Sequence, residues 1–261
     1  MKCAWLGTVL LLVVVAGVQA TDSTSDEVFL NLPTRWYQRD AYAVFSPVDP
    51  STGQPARLGC WSVALAQILF YHHLSPHGDT SYQSLGTTVA ANFDAAPVDL
   101  GLVAVDLRAA GVSPAQCQAT ARYLWYAALV TGKDFGTGTY IGNSDVRRER
   151  LARHFALTTR RLRSDQSSTA EIEAFIRAEL QAGRPLLLYV EGSSAGEEGS
   201  GHALVIDGCR GSGALFETHC NLGWGGRDDG WYRFWQPIVT SLGTFNQPER
   251  WVLAVRPATA P

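Results

Sequence analysis

The pattern of hydrophobic and polar positions divides the chain into a helix-rich first half and a strand-rich second half. In the first half, apolar residues recur at helical spacing, and in the segment that starts at Cys60 they surround the helix almost completely, which is typical of a buried central helix. Ser144 or Asp145 is expected to cap the third helix, and Ser168 with Glu171 forms a capping-box pattern before the fourth. The predicted helices are Cys60–His73, Pro114–Val130, Val146–Phe155 and a segment from Ser168 to Gly183.

In the second half, short apolar runs alternate with glycine-rich turns, a pattern that predicts β-strands. The predicted strands are Pro185–Val190, His202–Asp207, Leu215–Asn221, Gly230–Trp235 and Trp251–Val255. Helices followed by antiparallel strands indicate an α+β domain, with a helical half and a β half that meet across a cleft.

The first twenty residues have the features of a secretory signal peptide. Lys2 precedes an apolar run from Val9 to Val15, and small residues end the segment at Ala20. A membrane anchor is the alternative, but the run is short for a span that needs about 20 apolar residues. We therefore predict a signal peptide at 1–20, an extended arm at 21–57 in place of a long propeptide, and one main domain at 58–261 against which the arm packs.

Composition narrows the classes of partner. Hydrophobic residues make up 46% of the chain and charged residues 17%, which suits a compact core, and the formal net charge of −3 gives no reason to expect nucleic acid as a partner. The one basic run, from Arg147 to Arg163, contains seven arginines and is expected to be a solvated face. We predict no cofactor, no metal and no stable membrane insertion once the signal is removed.

Cys60 is the candidate nucleophile because it begins a predicted helix. A helix N-terminus and a nearby imidazolium lower the pKa of a cysteine to about 3.5–7.5. Among the histidines, His202 fits the base best because it opens a strand directly after Gly201, at the point where the strand half faces the helix half across the cleft. Taken alone, Cys60 would more often be a core residue.

Other candidates surround this pair. Strand alternation predicts that His219 and Asn221 share a face, so that Asn221 could orient the His202 ring and Trp224 could shield that contact from water. Gln54 lies six residues before Cys60 and could donate a side-chain N–H to an oxyanion hole together with the backbone N–H of Cys60. The residues predicted to line the substrate cleft are Gly136, Tyr140, Gly201 and Trp224.

The remaining cysteines leave other chemistry open. A zinc site built from His202, Cys209, His219 and Cys220 is disfavoured, because alternation sends His219 and Cys220 to opposite faces. A disulfide between Cys209 and Cys220 is also disfavoured by their positions on the predicted hairpin. A bridge from Cys117 to either of them stays possible.

The motifs GCWSVALAQILFYHH, DFGTGTY, GHALVIDG and NLGWGGRDDGWYRF resemble the streptopain family of bacterial cysteine peptidases, in the family's order, over most of residues 32–257. The resemblance implies a papain-like fold, secretion, endopeptidase activity on proteins or peptides, and no cofactor. It assigns Cys60 as nucleophile, His202 as base and Gln54 as oxyanion donor. Leu222 stands where the family often has tryptophan.

The predicted function is therefore a secreted cysteine endopeptidase that works through an acyl-enzyme. Two alternatives keep the same fold. One is an acyltransferase or transamidase, in which an amine replaces water as the acceptor, and the other is a binding protein that has lost catalysis.

Overall fold

The computed structural model describes residues 26–194 and 201–258. The predicted signal peptide at 1–20 and part of the loop before Gly201 lie outside the described residues. The helices are α1 (Cys60–Tyr71), α2 (Pro114–Thr131), α3 (Ser144–Phe155) and α4 (Thr169–Gln181). Within the described ranges, no helix has the length and apolar character needed to span a membrane.

The strands are β1 (Val28–Phe29), β2 (Val48–Asp49), β3 (Gln54–Pro55), β4 (Asp79–Ser84), β5 (Thr87–Asn92), β6 (Leu157–Arg163), β7 (Leu186–Glu191), β8 (Ser193–Ser194), β9 (Gly201–Arg210), β10 (Glu217–Asn221), β11 (Gly230–Arg233), β12 (Ile238–Thr240), β13 (Gly243–Phe245) and β14 (Arg250–Pro257). The main sheet is antiparallel, in the order β11-β10-β9-β7-β14-β6, and β1 pairs with β9 as well. Two-stranded sheets are formed by β2 with β3 and by β4 with β5, and a small sheet joins β12, β13 and β8.

Each face of the main sheet supports its own hydrophobic core. Leu187 and Val205 point to the face that packs against α1 and α2, whereas Leu186, Leu188 and Ile206 point to the face that α4 covers. This is the alternation expected of strands that are buried on both sides. The predicted α+β architecture, with a helical half against a β half, is therefore what the chain adopts.

α1 is the central helix of the helical half, and nearly all of its residues are buried. Even Gln67 has no exposed surface, and its Oε1 accepts a hydrogen bond from the hydroxyl of Thr34 at 2.8 Å. The bond satisfies the oxygen of this buried amide, whereas its Nε2 has no hydrogen-bond partner among the described residues. The absence of charge along the segment predicted this position correctly.

One of the two predicted capping arrangements is present, and the other differs. The capping box between Ser168 and Glu171 is present, and α2 has a second one. α3, however, is capped by Asn143, whose side-chain oxygen accepts from the N–H groups of Asp145 and Val146. The cap predicted at Ser144 or Asp145 is therefore wrong by one or two residues, because the helix begins earlier than its apolar spacing indicated.

The arm at 26–57 is an integral part of the domain. Trp36 is completely buried, and its indole N–H donates to the carbonyl of Ala104 at 2.8 Å. The N–H of Leu32 donates to the carboxylate of Asp207 on β9 at 2.8 Å. Leu30 contacts both hydrophobic cores, so the arm holds the two halves of the molecule together.

Candidate functional site

Cys60 is the first residue of α1, and it lies half-buried at the cleft between the two halves. Gly59 precedes it with φ +86° and ψ +150°, a backbone conformation that is almost restricted to glycine. Within the described part of the chain, the backbone N–H of Cys60 has no hydrogen-bond partner. This leaves one donor at the helix N-terminus directed at incoming ligands.

Tyr140 caps the same helix from outside. Its phenol oxygen accepts a hydrogen bond from the N–H of Trp61 at 3.1 Å. A side chain at position 59 would place its Cβ 2.5 Å from that oxygen, so glycine permits the close approach of Tyr140 to the cysteine loop. The predicted cleft residue Tyr140 is thus beside Cys60.

His202 is the second residue of β9 and is only 4% exposed. Its Nε2 lies 2.8 Å from the carbonyl oxygen of Leu222. Because a carbonyl only accepts hydrogen bonds, this nitrogen carries a proton, and Nδ1 is the basic nitrogen of the neutral ring. The ring packs against Trp224, at a centroid distance of 4.7 Å, and against Phe245, at 5.5 Å and 18°.

Asn221 does not have the partner that the sequence predicted. Its Nδ2 donates to the carbonyl of Thr34 at 2.7 Å, and its Oδ1 accepts from the N–H of Gly223 at 3.0 Å. The backbone carbonyl of Leu222 takes the position next to the His202 ring instead. The physical reason is the pairing of β10 with β9, which places Asn221 opposite Val205, three residues from His202, after a register shift in which Asp207 of β9 is the extra residue.

Gln54 lies on β3 and faces the cleft, where its side chain is exposed. No hydrogen bond engages its amide among the residues that the structure describes. The side chain is therefore available to a ligand, which is compatible with the predicted role as an oxyanion donor.

The cleft that contains these residues has a volume of about 440 Å³. Three of the four predicted cleft residues, Tyr140, Gly201 and Trp224, line it. Gly136 does not, because its N–H donates to Asp134 and it packs against Leu85. Cleft-lining residues that the sequence did not predict include Arg57, Lys133, Phe135 and Phe245.

Gly201 is required for a reason other than the approach of substrate. A Cβ at this position would lie 2.0 Å from the phenol oxygen of Tyr189, on the neighbouring strand β7. The glycine therefore lets Tyr189 reach across the start of β9, next to His202. The ring of Tyr189 in turn lies 6.0 Å from that of Trp61, the residue after the cysteine.

Lys133 is the notable charged group among the missed residues. It is 3% exposed, its ammonium donates to the carbonyl of Gly138, and it lies 5.2 Å from the ring centroid of Tyr140. Arg147 also approaches this region, with its guanidinium 4.7 Å from the Trp61 ring. The basic run is thus not simply a solvated face, since Arg147 packs on aromatic rings beside the site.

Burial shifts both members of the cysteine–histidine pair toward their neutral forms. Desolvation raises the pKa of the Cys60 thiol, and the N–H of Ala203 and the charge of Lys133 oppose that shift. Desolvation lowers the pKa of His202 to about 4, although the bond to the Leu222 carbonyl acts in the opposite direction. The helix N-terminus therefore does not by itself produce the lowered thiol pKa that the sequence suggested.

The other cysteines take no part in the cleft. All four cysteines in the described ranges are free, and Cys209 and Cys220 are buried. Nδ1 of His219 lies 2.6 Å from a carboxylate oxygen of Asp207. No group of three or more potential metal ligands occurs among the described residues.

Comparison with protein families and with known proteins identifies relatives of this chain. Residues 36–232 match the model of the Peptidase C10 family. Streptopain of Streptococcus pyogenes is 27% identical over 224 residues, which cover 78% of this chain and 54% of streptopain. The chain thus spans about half the length of the curated relatives it matches.

Solved structures share the fold. The active wild-type cysteine protease interpain A of Prevotella intermedia matches with a TM-score of 0.73 and 23% identity, over 87% of this chain and 94% of that one. A fragment of prointerpain A from the same organism matches with a TM-score of 0.69 and 20% identity, over 87% and 71% of the two chains. The predicted papain-like fold class is confirmed.

Proposed function

Because the chain belongs to the Peptidase C10 family, we propose that it is a secreted cysteine endopeptidase that hydrolyses peptide bonds through an acyl-enzyme on Cys60. One observation carries the proposal. The cysteine at the N-terminus of a buried helix lines the same cleft as a histidine whose Nε2 is occupied by a carbonyl, so that Nδ1 is the nitrogen left to accept the thiol proton.

The first half of the reaction forms a thioester. The proton of Sγ passes to Nδ1 of His202, and the sulfur attacks the carbonyl carbon of the scissile bond. The negative charge that develops on the carbonyl oxygen is stabilised by the backbone N–H of Cys60 and the amide of Gln54. The imidazolium then protonates the departing amine, the C–N bond breaks, and the acyl group remains on sulfur.

The second half returns the enzyme to its starting state. His202, neutral again, accepts a proton from water, whose oxygen attacks the thioester carbon. The C–S bond breaks, the proton passes to sulfur, and the carboxylic acid product leaves. No cofactor or metal enters this sequence, and the atoms balance as one water consumed for each peptide bond cleaved.

Burial adds an electrostatic requirement to this scheme. A raised thiol pKa and an imidazole pKa of about 4 favour the neutral pair in the empty cleft. Proton transfer is therefore expected to be coupled to substrate binding and attack rather than complete beforehand.

The test is labelling with an epoxide inhibitor of papain-type enzymes, read by intact and peptide mass spectrometry. A single adduct on Cys60, absent from Cys60→Ala and slowed in His202→Ala, is the expected result. Cys117→Ser is the matched control, because Cys117 is also a half-buried free cysteine but does not line the cleft. An equal rate of labelling at Cys117 and Cys60 would contradict selective activation.

Turnover of peptide substrates then separates the related functions. Gln54→Ala is expected to lower kcat by about 10²–10³, the usual effect of removing one oxyanion donor. Added amine that appears in the product in place of water would indicate a transamidase. Labelling without any turnover of proteins or peptides would indicate a fold that no longer hydrolyses.

Secretion is tested separately. The predicted signal peptide implies that protein exported by a bacterial host begins at Thr21. N-terminal sequencing of the material outside the cell checks this, and intact Met1 on a cell-bound protein would contradict it.

A further inference from the structure

We propose that Asp229 is a positioning residue for His202, which it reaches through the backbone of Leu222. The inference rests on the proposed peptidase function. Oδ1 of Asp229 accepts a hydrogen bond from the N–H of Leu222 at 2.8 Å. The carbonyl of the same leucine accepts from Nε2–H of His202 at 2.8 Å. Leu222 is thus held at both of its polar groups, between an acidic side chain and the imidazole.

The ring needs this support because its aromatic neighbours do not supply it. Trp224 and Phe245 pack against the ring of His202, and such contacts fix the plane of the ring. A stacked ring still tolerates a flip that exchanges the positions of its nitrogens. The bond from Nε2–H to the Leu222 carbonyl is the contact that selects the edge with Nδ1 for the cysteine.

The orientation of the Leu222 carbonyl depends in turn on its own anchors. The side chain of Leu222 is fully buried, and Asn221 ties the preceding residue to Thr34 and to Gly223. Asp229 is the side chain that holds Leu222 itself. Removing this acceptor would leave the N–H of Leu222 unpaired and allow the peptide to rotate, which would move the carbonyl away from the ring.

Burial and neighbouring charges act on the pKa of the Asp229 carboxyl in opposite directions. Burial raises its pKa to about 6, while the N–H of Leu222 and the neighbouring His219 and Arg35 act to lower it. Asp207 raises it further, although that carboxylate is itself paired with Nδ1 of His219 at 2.6 Å. Two other titratable groups, Cys220 and Tyr232, face the carboxylate as well.

A matched set of variants separates the hydrogen bond from the charge. Asp229→Asn keeps an Oδ1 acceptor for the N–H of Leu222 and removes the charge, whereas Asp229→Ala removes both. Asp229→Leu also lacks an acceptor but preserves the volume of the side chain. Asp229 does not line the cleft, so none of these changes removes a contact with substrate.

Kinetics give the first readout. Asp229→Ala and Asp229→Leu are expected to lower kcat about 10–100-fold, as loss of a supporting hydrogen bond commonly does, and to leave KM nearly unchanged. Asp229→Asn should retain most of kcat. The rate of Cys60 alkylation by iodoacetamide should fall in parallel, with a changed pH profile. Equal kcat values and alkylation profiles in all four proteins would overturn the proposal.

The second readout does not depend on peptidase activity. In a Cys60→Ala background, ¹⁵N chemical shifts of His202 report which ring nitrogen is protonated. The Nε2–H tautomer should dominate with Asp229 and Asp229→Asn and become mixed in Asp229→Ala, or in Asp229→Leu if the alanine variant does not fold. If the protein never cleaves peptides but the tautomer changes, the proposed function fails and the positioning role stands. An unchanged tautomer overturns that role.

Discussion

Replacement of Gly59 by alanine tests how closely Tyr140 approaches the cysteine loop. Gly59 has φ +86° and ψ +150°, and a side chain in that conformation costs about 1–3 kcal/mol. Its Cβ would also lie 2.5 Å from the phenol oxygen of Tyr140, and overpacking of that kind costs roughly another 1–3 kcal/mol. We therefore expect Gly59→Ala to lower the free energy of unfolding by about 2–6 kcal/mol in total.

The two contributions can be measured apart. Gly111 has a similar φ of +83° and nothing within 4 Å of its added Cβ, so Gly111→Ala reports the cost of a side chain at positive φ where no atom obstructs it. Tyr140→Phe removes the oxygen that causes the clash and, with it, the bond from the N–H of Trp61, at a cost of about 1 kcal/mol. In the double variant Gly59→Ala with Tyr140→Phe the backbone cost remains and the clash is relieved.

The assay is urea unfolding followed by tryptophan fluorescence, in a Cys60→Ala background that prevents self-cleavage. The double variant should be more stable than the sum of the single changes predicts, by about 1–3 kcal/mol, because the clash is present only in Gly59→Ala. Additivity within about 0.5 kcal/mol would refute the reasoning, since contacting residues should couple by more than distant ones do.

Three further predictions concern protons and thiols. The acid limb of kcat/KM should lie near pH 4, because burial lowers the pKa of His202 to about 4; a limb centred near 6.5 in a peptide assay would contradict this. In the unfolded chain His202 binds a proton below its ordinary pKa of about 6.5, whereas in the folded chain it binds one only near pH 4. Lowering the pH from 6.5 to 4 should therefore decrease the free energy of unfolding by roughly 3 kcal/mol. His202→Gln should flatten that dependence in chemical denaturation, and an identical slope in both proteins would exclude the assignment. In the native protein at pH 8, Cys209 and Cys220 should resist thiol reagents, because both are buried and their pKa values are raised to about 11 and 12; mass spectrometry of the alkylated native protein, with Cys117 as the reactive reference, checks this.

The sequence predicted those parts of the fold that local chemistry determines. α1 lacks charge and is buried, α4 begins at its capping box, and β7 is an apolar run bounded by turn residues. The hairpin of β4 and β5 was missed because its residues are mostly polar and its turn places Leu85 at φ +54°, a conformation that leucine does not signal. Only tertiary contacts stabilise such a segment.

In the candidate site, too, the sequence predicted what local side-chain chemistry determines and not what tertiary structure determines. The sequence predicted four residues of the site because reactive or aromatic side chains stand beside glycines or at the ends of helices and strands. These residues are Cys60, His202, Tyr140 and Trp224. The partner of His202 was predicted incorrectly, because that partner is the backbone carbonyl of Leu222, and a carbonyl is present at every position of every sequence. Its selection depends on the register in which β10 pairs with β9, including the extra residue Asp207 on β9, and no residue type in either strand indicates that register.

This dependence on backbone explains why the arm belongs to the site as well as to the core. The carbonyl of Thr34 accepts a hydrogen bond from the side-chain amide of Asn221, the residue next to Leu222. The N–H of Leu32 donates to the carboxylate of Asp207, which is paired with His219. The arm thus supports the His202 ring through two hydrogen bonds, from Asn221 to Thr34 and from His202 to Leu222, which the peptide between Asn221 and Leu222 connects. An arm that is anchored in this way cannot leave without loosening the histidine. Its described residues are therefore better understood as part of the framework of the candidate site than as a segment that is released to open the cleft.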